Sequence, residues 1–168
     1  MIQCPDCGFA NIDGADMCEK CQKPLCGLSD PHRASHLEDS LFRDPIARLN
    51  PRRPLVVAPE TPAGEVLRRM VDRAGGCAVV ASEGKVVGIF TERDALMDLG
   101  PDAAAMADRP IRELMTASVE TLELDDSIAF AVHKMDVGGY RHLPILSAGQ
   151  IEGIISVRDI LDYITANA

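Results

Sequence analysis

Between residues 44 and 168 the apolar positions alternate between two periods, and they do so in the same order twice. Val66, Leu67, Met70, Val71 and Ala74 recur at helical spacing, with Thr61 and Pro62 ahead of them as a cap and a favoured first-turn proline. Ile128, Ala131, Val132 and Met135 repeat that face, and Asp126 stands at the matching place. A short β run precedes each helix, at 55–57 and at 119–122. A glycine pair follows each helix (Gly75 and Gly76; Gly138 and Gly139), and then a strand at 78–81 or 143–146. A turn holding Gly84 or Gly149 leads to a second apolar strand (Val86, Val87, Ile89, Phe90; Ile151, Ile154, Ile155), which closes on another helical pattern. Each unit reads β-α-β-β-α, and the fold class is α+β.

The duplication is visible residue by residue. GIFTERD at 88–94 returns as GIISVRD at 153–159, sixty-five positions on, and the same offset pairs Met70 with Met135, Ser82 with Ser147, Gly84 with Gly149 and Leu96 with Leu161. Units of this size bury their apolar faces on each other, so the two are expected to pack as a pair. The boundaries fall at 44–108 and 109–168.

The first 43 residues lie outside the repeat. Cys4 and Cys7 stand in CPDCG and Cys18 and Cys21 in CEKC, with ten residues between the pairs. Each CxxC lets two thiolates turn around one metal, Gly8 relieving the first turn, and two such knuckles close a tetrahedral four-sulfur site. With all four positions filled by sulfur the predicted Zn2+ is structural, not hydrolytic. Residues 1–26 resemble a short zinc ribbon, in which the metal stands in for a core. Acidic Asp6, Asp13, Asp16 and Glu19 outnumber Lys20 and Lys23, which favours a protein partner or a purely structural role over nucleic acid. Residues 27–43 form a linker; Cys26 just before it and His32 and His36 within it are irregularly spaced and read as solvated. Ser35 with Glu38 is a capping box there, and Leu37, Leu41 and Phe42 predict a short amphipathic helix ending before Pro45.

Composition narrows the function. Seventeen Lys and Arg against 26 Asp and Glu leave a net charge of -9, which argues against non-specific attraction to nucleic acid or anionic membrane. No run of 18 apolar residues occurs, and MIQCPDCG has neither the basic nor the apolar region of a signal peptide. A cytoplasmic protein is therefore expected, with its cysteines reduced or metal-bound. No nucleophile stands beside a base, and neither an HExxH nor a P-loop is present, so no enzyme is expected.

The duplicated stretch carries the candidate chemistry. An apolar strand runs into a hydroxyl (Thr91; Ser156) and, two residues on, into an Arg-Asp pair (Arg93, Asp94; Arg158, Asp159) that opens a helix. A hydroxyl, helix-start amides and an arginine suit a phosphate, and a carboxylate one position on suits the two hydroxyls of a ribose. The alternative is that the hydroxyl caps the helix and the carboxylate complements its dipole.

This order of elements, the two closing motifs, ELMT at 113–116 and GYRHLPI at 139–145 resemble a tandem pair of CBS domains, a Bateman module. The resemblance covers about residues 44–168. It implies a pseudo-twofold pair that dimerises again into a homodimer, with two inter-repeat clefts that bind an adenine nucleotide such as AMP, ADP or ATP. It implies ribose contacts from Asp94 and Asp159, and phosphate contacts from Thr91, Arg93, Ser156, Arg158, His142 and the adjacent Arg141. Thr116 to Val119 match the segment that meets the base. At the offset of the repeat, Cys77 takes the place of His142 and Pro51 that of Thr116, so the first unit supplies neither imidazole nor early hydroxyl. Neither cleft keeps a full set, and the Asp159 cleft is favoured over the Asp94 cleft because it retains His142 and Arg158. The function implied is a regulatory nucleotide sensor carrying a structural zinc ribbon. The alternative is a dimerising module that meets protein or nucleic acid through the ribbon, with nothing in the clefts.

Overall fold

The structure is a computed structural model that describes residues 2–4, 7–12, 15, 17–23, 25, 36–100 and 103–167. Two compact units divide the chain, one up to Ser40 and the other from Leu41 to Asn167. Cys26, His32 and the Ser35 cap lie outside the described residues, as do Asp6, Asp13 and Asp16.

In the first unit β1 (Ile2–Gln3) pairs antiparallel with β2 (Ala10–Asn11). The two CxxC turns close in the same way. The Gly8 N–H donates to the Cys4 carbonyl at 2.8 Å, and the Gln22 N–H donates to the Cys18 carbonyl at 2.8 Å. Each turn needs a left-handed residue just after its second cysteine, met by Gly8 at φ 68° and by Gln22 at φ 54°. Cys4, Cys18 and Leu25 make a buried cluster, with Cys7, Cys21 and Ala15 packed against it. Helix α1 (His36–Arg43) follows, stopping short of Pro45 as its residue pattern predicts. Leu41 is covered, but Phe42 is 73% exposed instead of sharing that face.

The second unit holds two three-stranded sheets. In one, β3 (Val56–Val57) lies parallel to β4 (Cys77–Ser82), which pairs antiparallel with β5 (Lys85–Thr91). In the other, β6 (Leu122–Glu123), β7 (His142–Ser147) and β8 (Gln150–Ser156) repeat that order and register. The bulges repeat as well, at Val80/Ala81 and at Ile145/Leu146. Both hairpins turn through two successive left-handed residues, Glu83 and Gly84 in one and Ala148 and Gly149 in the other. Helix α2 (Ala63–Asp72) buries Ala63, Val66 and Met70, and α5 (Ile128–Gly138) buries Ile128, Ala131 and Met135. The caps differ from expectation. Pro62 itself is the N-cap of α2, and the Thr61 carbonyl instead accepts from the Ile111 N–H at 2.9 Å. Ser127 caps α5 by accepting from the Phe130 N–H, while the Asp126 carboxylate accepts from the Glu123 N–H at 2.8 Å.

The closing segments diverge. After β8 the chain runs straight into the eleven-residue α6 (Val157–Asn167). After β5 the matching α3 (Glu92–Asp94) loosens at once into a π-helical stretch, Ala95–Leu99, and α4 (Ala103–Met106) follows.

The opening segments are exchanged. Ile46, in a 3-10 turn at Ile46–Leu49, is fully buried in the second core with Leu122, Ile128, Leu143 and Ile155. Ile111, sixty-five residues later and in a like turn, is fully buried in the first core with Val66, Val80 and Phe90. Hydrogen bonds fix both crossings. The Ile46 and Ala47 N–H groups donate to the carbonyls of Asp126 and Leu124, at 2.8 and 3.0 Å, and Ala63 and Gly64 donate to Arg109 and Ala107 at 2.9 Å. Each half therefore completes its core with residues from the other half's leading segment.

Candidate functional site

Two clefts open where these crossings meet the sheets. In each, an opening segment forms a two-way backbone bridge to the last strand of the other half. Thr116 and Ile89 exchange hydrogen bonds of 2.9 and 3.0 Å, and Arg52 and Ile154 exchange bonds of 3.1 and 2.9 Å. Ile154 is the offset partner of Ile89, so the structural counterpart of Thr116 is Arg52. The expected counterpart, Pro51, is displaced because the second opening segment holds one residue more before the common register resumes at Val57 and Leu122. A glycine lets each segment approach. A Cβ on Gly153 would stand 2.5 Å from Cβ of Pro51, and one on Gly88 would stand 2.1 Å from Sδ of Met115.

The first cleft, about 240 Å³, places Thr91, Arg93 and Asp94 of the β5–α3 junction opposite Thr116, Val119, Arg141 and His142. Thr91 and Asp94 form a reciprocal cap. Oδ2 of Asp94 accepts from the Thr91 N–H at 2.8 Å and from its hydroxyl at 2.9 Å, while the Asp94 N–H donates to that hydroxyl oxygen at 3.3 Å. The capping alternative is thus present, and it uses only one carboxylate oxygen. Oδ1 has no hydrogen-bond donor among the described residues and remains able to accept from a diol. Ser118, Glu120 and Tyr140 also line the cleft. Glu120 is held by Lys134 at 2.6 Å, and that ammonium also sits 5.2 Å from the Phe130 ring centroid.

The second cleft, about 370 Å³, gathers Ser156, Arg158 and Asp159 with Arg52, Arg53 and Arg73. Asp159 caps α6 as Asp94 caps α3, with Oδ2 accepting from the Ser156 N–H at 2.7 Å and hydroxyl at 2.6 Å. Its Oδ1 differs, because it accepts from the Arg52 guanidinium at 2.9 Å. Both oxygens are engaged.

His142, the first residue of β7, lies at the seam and lines both clefts together with Gly76, Glu92 and Arg141. The preference for the Asp159 cleft rested on its keeping His142 and Arg158; Arg158 lines that cleft and not the first, whereas the imidazole lines both. The ring abuts Gly76, where an added Cβ would come within 3.0 Å of Nε2. Its Nδ1 is buried without a hydrogen-bond partner. Burial lowers its pKa below the ordinary 6.5, reinforced by Arg141 and partly offset by Glu92 and Asp159. Cys77, its counterpart by the repeat, is buried and has its thiol pushed up to about 12 by burial and by Glu92, which makes it an inert apolar filler.

The four CxxC cysteines of the first unit form a second candidate centre. The four Sγ atoms of Cys4, Cys7, Cys18 and Cys21 lie within 4.8 Å of one another, with Cys4–Cys21 and Cys7–Cys18 each at 3.6 Å. A tetrahedron with metal–sulfur bonds of about 2.3 Å has edges of about 3.8 Å, so the set fits one ion. Burial would raise the Cys18 thiol, but the backbone amides of Cys21 and Lys20 outweigh it and bring it down to about 6. Cys21 in the same knuckle moves the other way, up to about 12, because the lowering by the Lys23 amide is outweighed by burial and the three neighbouring thiols. Asn11, 2% exposed, props this loop: its amide donates to the Phe9 carbonyl and lies 3.7 Å from the Cys18 sulfur, and its Oδ1 accepts from the Glu19 N–H at 3.0 Å.

All ten residues expected to meet a nucleotide line one cleft or the other, and Arg141 and His142 line both. Sequence reasoning passed over Arg52, Arg53 and Arg73 because their elements carry no motif. It passed over Tyr140 although the residue stands inside a quoted one. Among the described residues no helix is long and apolar enough to cross a membrane.

Comparison with known proteins agrees with the doubled architecture. The CBS domain family matches residues 46–100 and 111–166. A CBS domain-containing protein of Arabidopsis thaliana is 30% identical over 135 residues, 79% of this chain and 25% of that protein. The chain spans less than two thirds of the length of the curated relatives it matches. A CBS-domain protein of Agrobacterium tumefaciens has a solved structure 28% identical, with TM-score 0.65, covering 71% of this chain and 98% of that one. A CBS domain protein of Pyrobaculum aerophilum, solved in complex with AMP, is 22% identical with TM-score 0.62, covering 73% and 99%.

Proposed function

Because this chain belongs to the CBS-domain family through both of its halves, we propose that it is a regulatory protein, not an enzyme, that senses an adenine nucleotide and carries a structural zinc ribbon. The observation that carries the reading is the Asp94 cleft, where a carboxylate with one uncommitted oxygen faces the Thr116 hydroxyl, Val119 and the Tyr140 ring. In this reading the ribose diol donates to Oδ1 of Asp94, the base lies against Val119 and Tyr140, and the phosphate meets Arg93, Arg141 and His142. The complex of the Pyrobaculum aerophilum neighbour with AMP supports the ligand class. Binding can shift the arrangement of the two halves only by its differential affinity for the alternatives. Leu96, Met97 and Leu161, each more than half exposed on the closing segments, support assembly as a homodimer.

Thermal denaturation with AMP, ADP and ATP tests this. A ligand at a hundred times its Kd adds about 2.7 kcal/mol, which raises the Tm of a domain this size by roughly 10 °C. Asp94→Ala should abolish the rise. No rise with any adenine nucleotide would end the reading. The second reading, an interaction module working through the ribbon, draws on the exposure of Phe9, Ile12 and Met17, at 38, 67 and 52%. It requires a partner that binds with the clefts empty, and salt-dependent retention on nucleic acid is not expected of it.

A further inference from the structure

The second cleft is built from other chemistry than the first. In a chain of net charge -9 it collects five guanidinium groups, from Arg52, Arg53, Arg73, Arg141 and Arg158, against the carboxylates of Asp159 and Glu92. Arg52 alone has a carboxylate partner. The other four make no ion pair among the described residues, so their charge is held at the cavity wall by the fold and not by a neighbour. Where the first cleft has the Thr116 hydroxyl, this one has Arg52, and where a ribose would be received, Asp159 is already closed by that arginine at 2.9 Å. A nucleoside entering here must first break the Arg52–Asp159 pair. An anion need break nothing.

We propose that the Asp159 cleft is a site for an oligophosphate chain, held by Arg53, Arg73, Arg141 and Arg158. Planar guanidinium forks match phosphate oxygens two at a time, and several forks around one cavity select a ligand that carries several such groups. His142, neutral while the cleft is empty, gains a favourable partner for its proton when phosphate arrives. The chain of phosphates can come from two sources. One is a free inorganic oligophosphate. The other is the tail of a nucleotide seated in the Asp94 cleft, since both cavities share Gly76, Glu92, Arg141 and His142. The proposal does not depend on the nucleotide reading of the first cleft.

Isothermal titration of the full chain with inorganic tripolyphosphate, AMP and ATP tests it, on the wild type and on an Arg53→Gln/Arg73→Gln double variant. Both arginines are exposed and outside the first cleft, so AMP binding by the double variant, with unchanged far-UV circular dichroism, serves as the control for folding. Tripolyphosphate should bind the wild type and bind the double variant at least tenfold more weakly. If the source is a nucleotide tail, ATP also weakens tenfold in the double variant and AMP does not; if it is a free anion, ATP and AMP are unaffected alike. Absence of tripolyphosphate binding to the wild type, or equal binding by the double variant, overturns the proposal. Binding of tripolyphosphate with no binding of AMP would uphold it and remove the nucleotide reading instead, with circular dichroism then the remaining folding control.

Discussion

The exchanged opening segments make a prediction that an unexchanged pair of domains would not. Ile46 and Ile111 are both fully buried, and each sits in the core of the half it does not belong to by sequence. Isoleucine to alanine deletes three carbons, worth about 0.8 kcal/mol each in transfer, or about 2.4 kcal/mol. The cavity left by incomplete collapse raises the loss to about 3 kcal/mol, inside the usual range for such substitutions. With an unchanged urea slope near 2 kcal/mol/M, the midpoint of Ile46→Ala should fall by about 1.5 M, and that of Ile111→Ala by a similar amount. Location is the sharper readout. Native-state hydrogen exchange should show Ile46→Ala loosening β7, β8 and α5 first, and Ile111→Ala loosening β4, β5 and α2. If Ile46→Ala instead loosened β4, β5 and α2, and Ile111→Ala loosened β7, β8 and α5, or if the losses stayed below about 1 kcal/mol, the exchange of opening segments would be refuted.

Other consequences can be measured directly. Burial lowers the His142 pKa below 6.5, so the unfolded chain takes up a proton that the folded one resists. Its contribution is present above that pH and fades as pH falls through it, and His142→Asn should flatten the stability profile between about pH 5 and 7. An unchanged slope would place the pH dependence elsewhere. Gly153→Ala meets the rigid Pro51 ring at 2.5 Å and should cost about 2 kcal/mol, whereas Gly88→Ala meets the flexible end of Met115 and should cost less; equal losses in urea would refute that ordering. Metal analysis should find about one zinc per chain, and Cys18→Ser should lose it; a value near zero in the wild type, purified without chelator, would remove the ribbon reading.

The repeating strands and helices could be read from the chain because Val, Ile and Gly fall at positions that only a β-α-β-β-α order satisfies. The exchange could not, since the apolar character of Ile46 and Ile111 is the same whichever core receives them. One extra residue between Thr116 and Leu122 misled the alignment of the clefts: a constant spacing downstream pointed to Pro51, while backbone pairing selects Arg52. The loosening of the first closing helix at Ala95–Leu99 also left no mark, because four of its five residues, all but Asp98, are good helix formers. His142 was legible as a chemical group, but its presence in two cavities depends on the close approach of Gly76, which is visible only in three dimensions.

The crossing of Ile46 and Ile111 also sets an order of events during synthesis. A nascent chain that has just cleared the ribosome exit with residue 100 already holds β3, β4 and β5, yet its interior has a hole where Ile111 belongs. At roughly 5–20 residues per second the wait is short. The later half faces no such delay, because the segment around Ile46 that closes it was translated first. A pause that leaves residue 100 outside the exit and Ile111 still inside it would therefore hold the first half with its core incomplete.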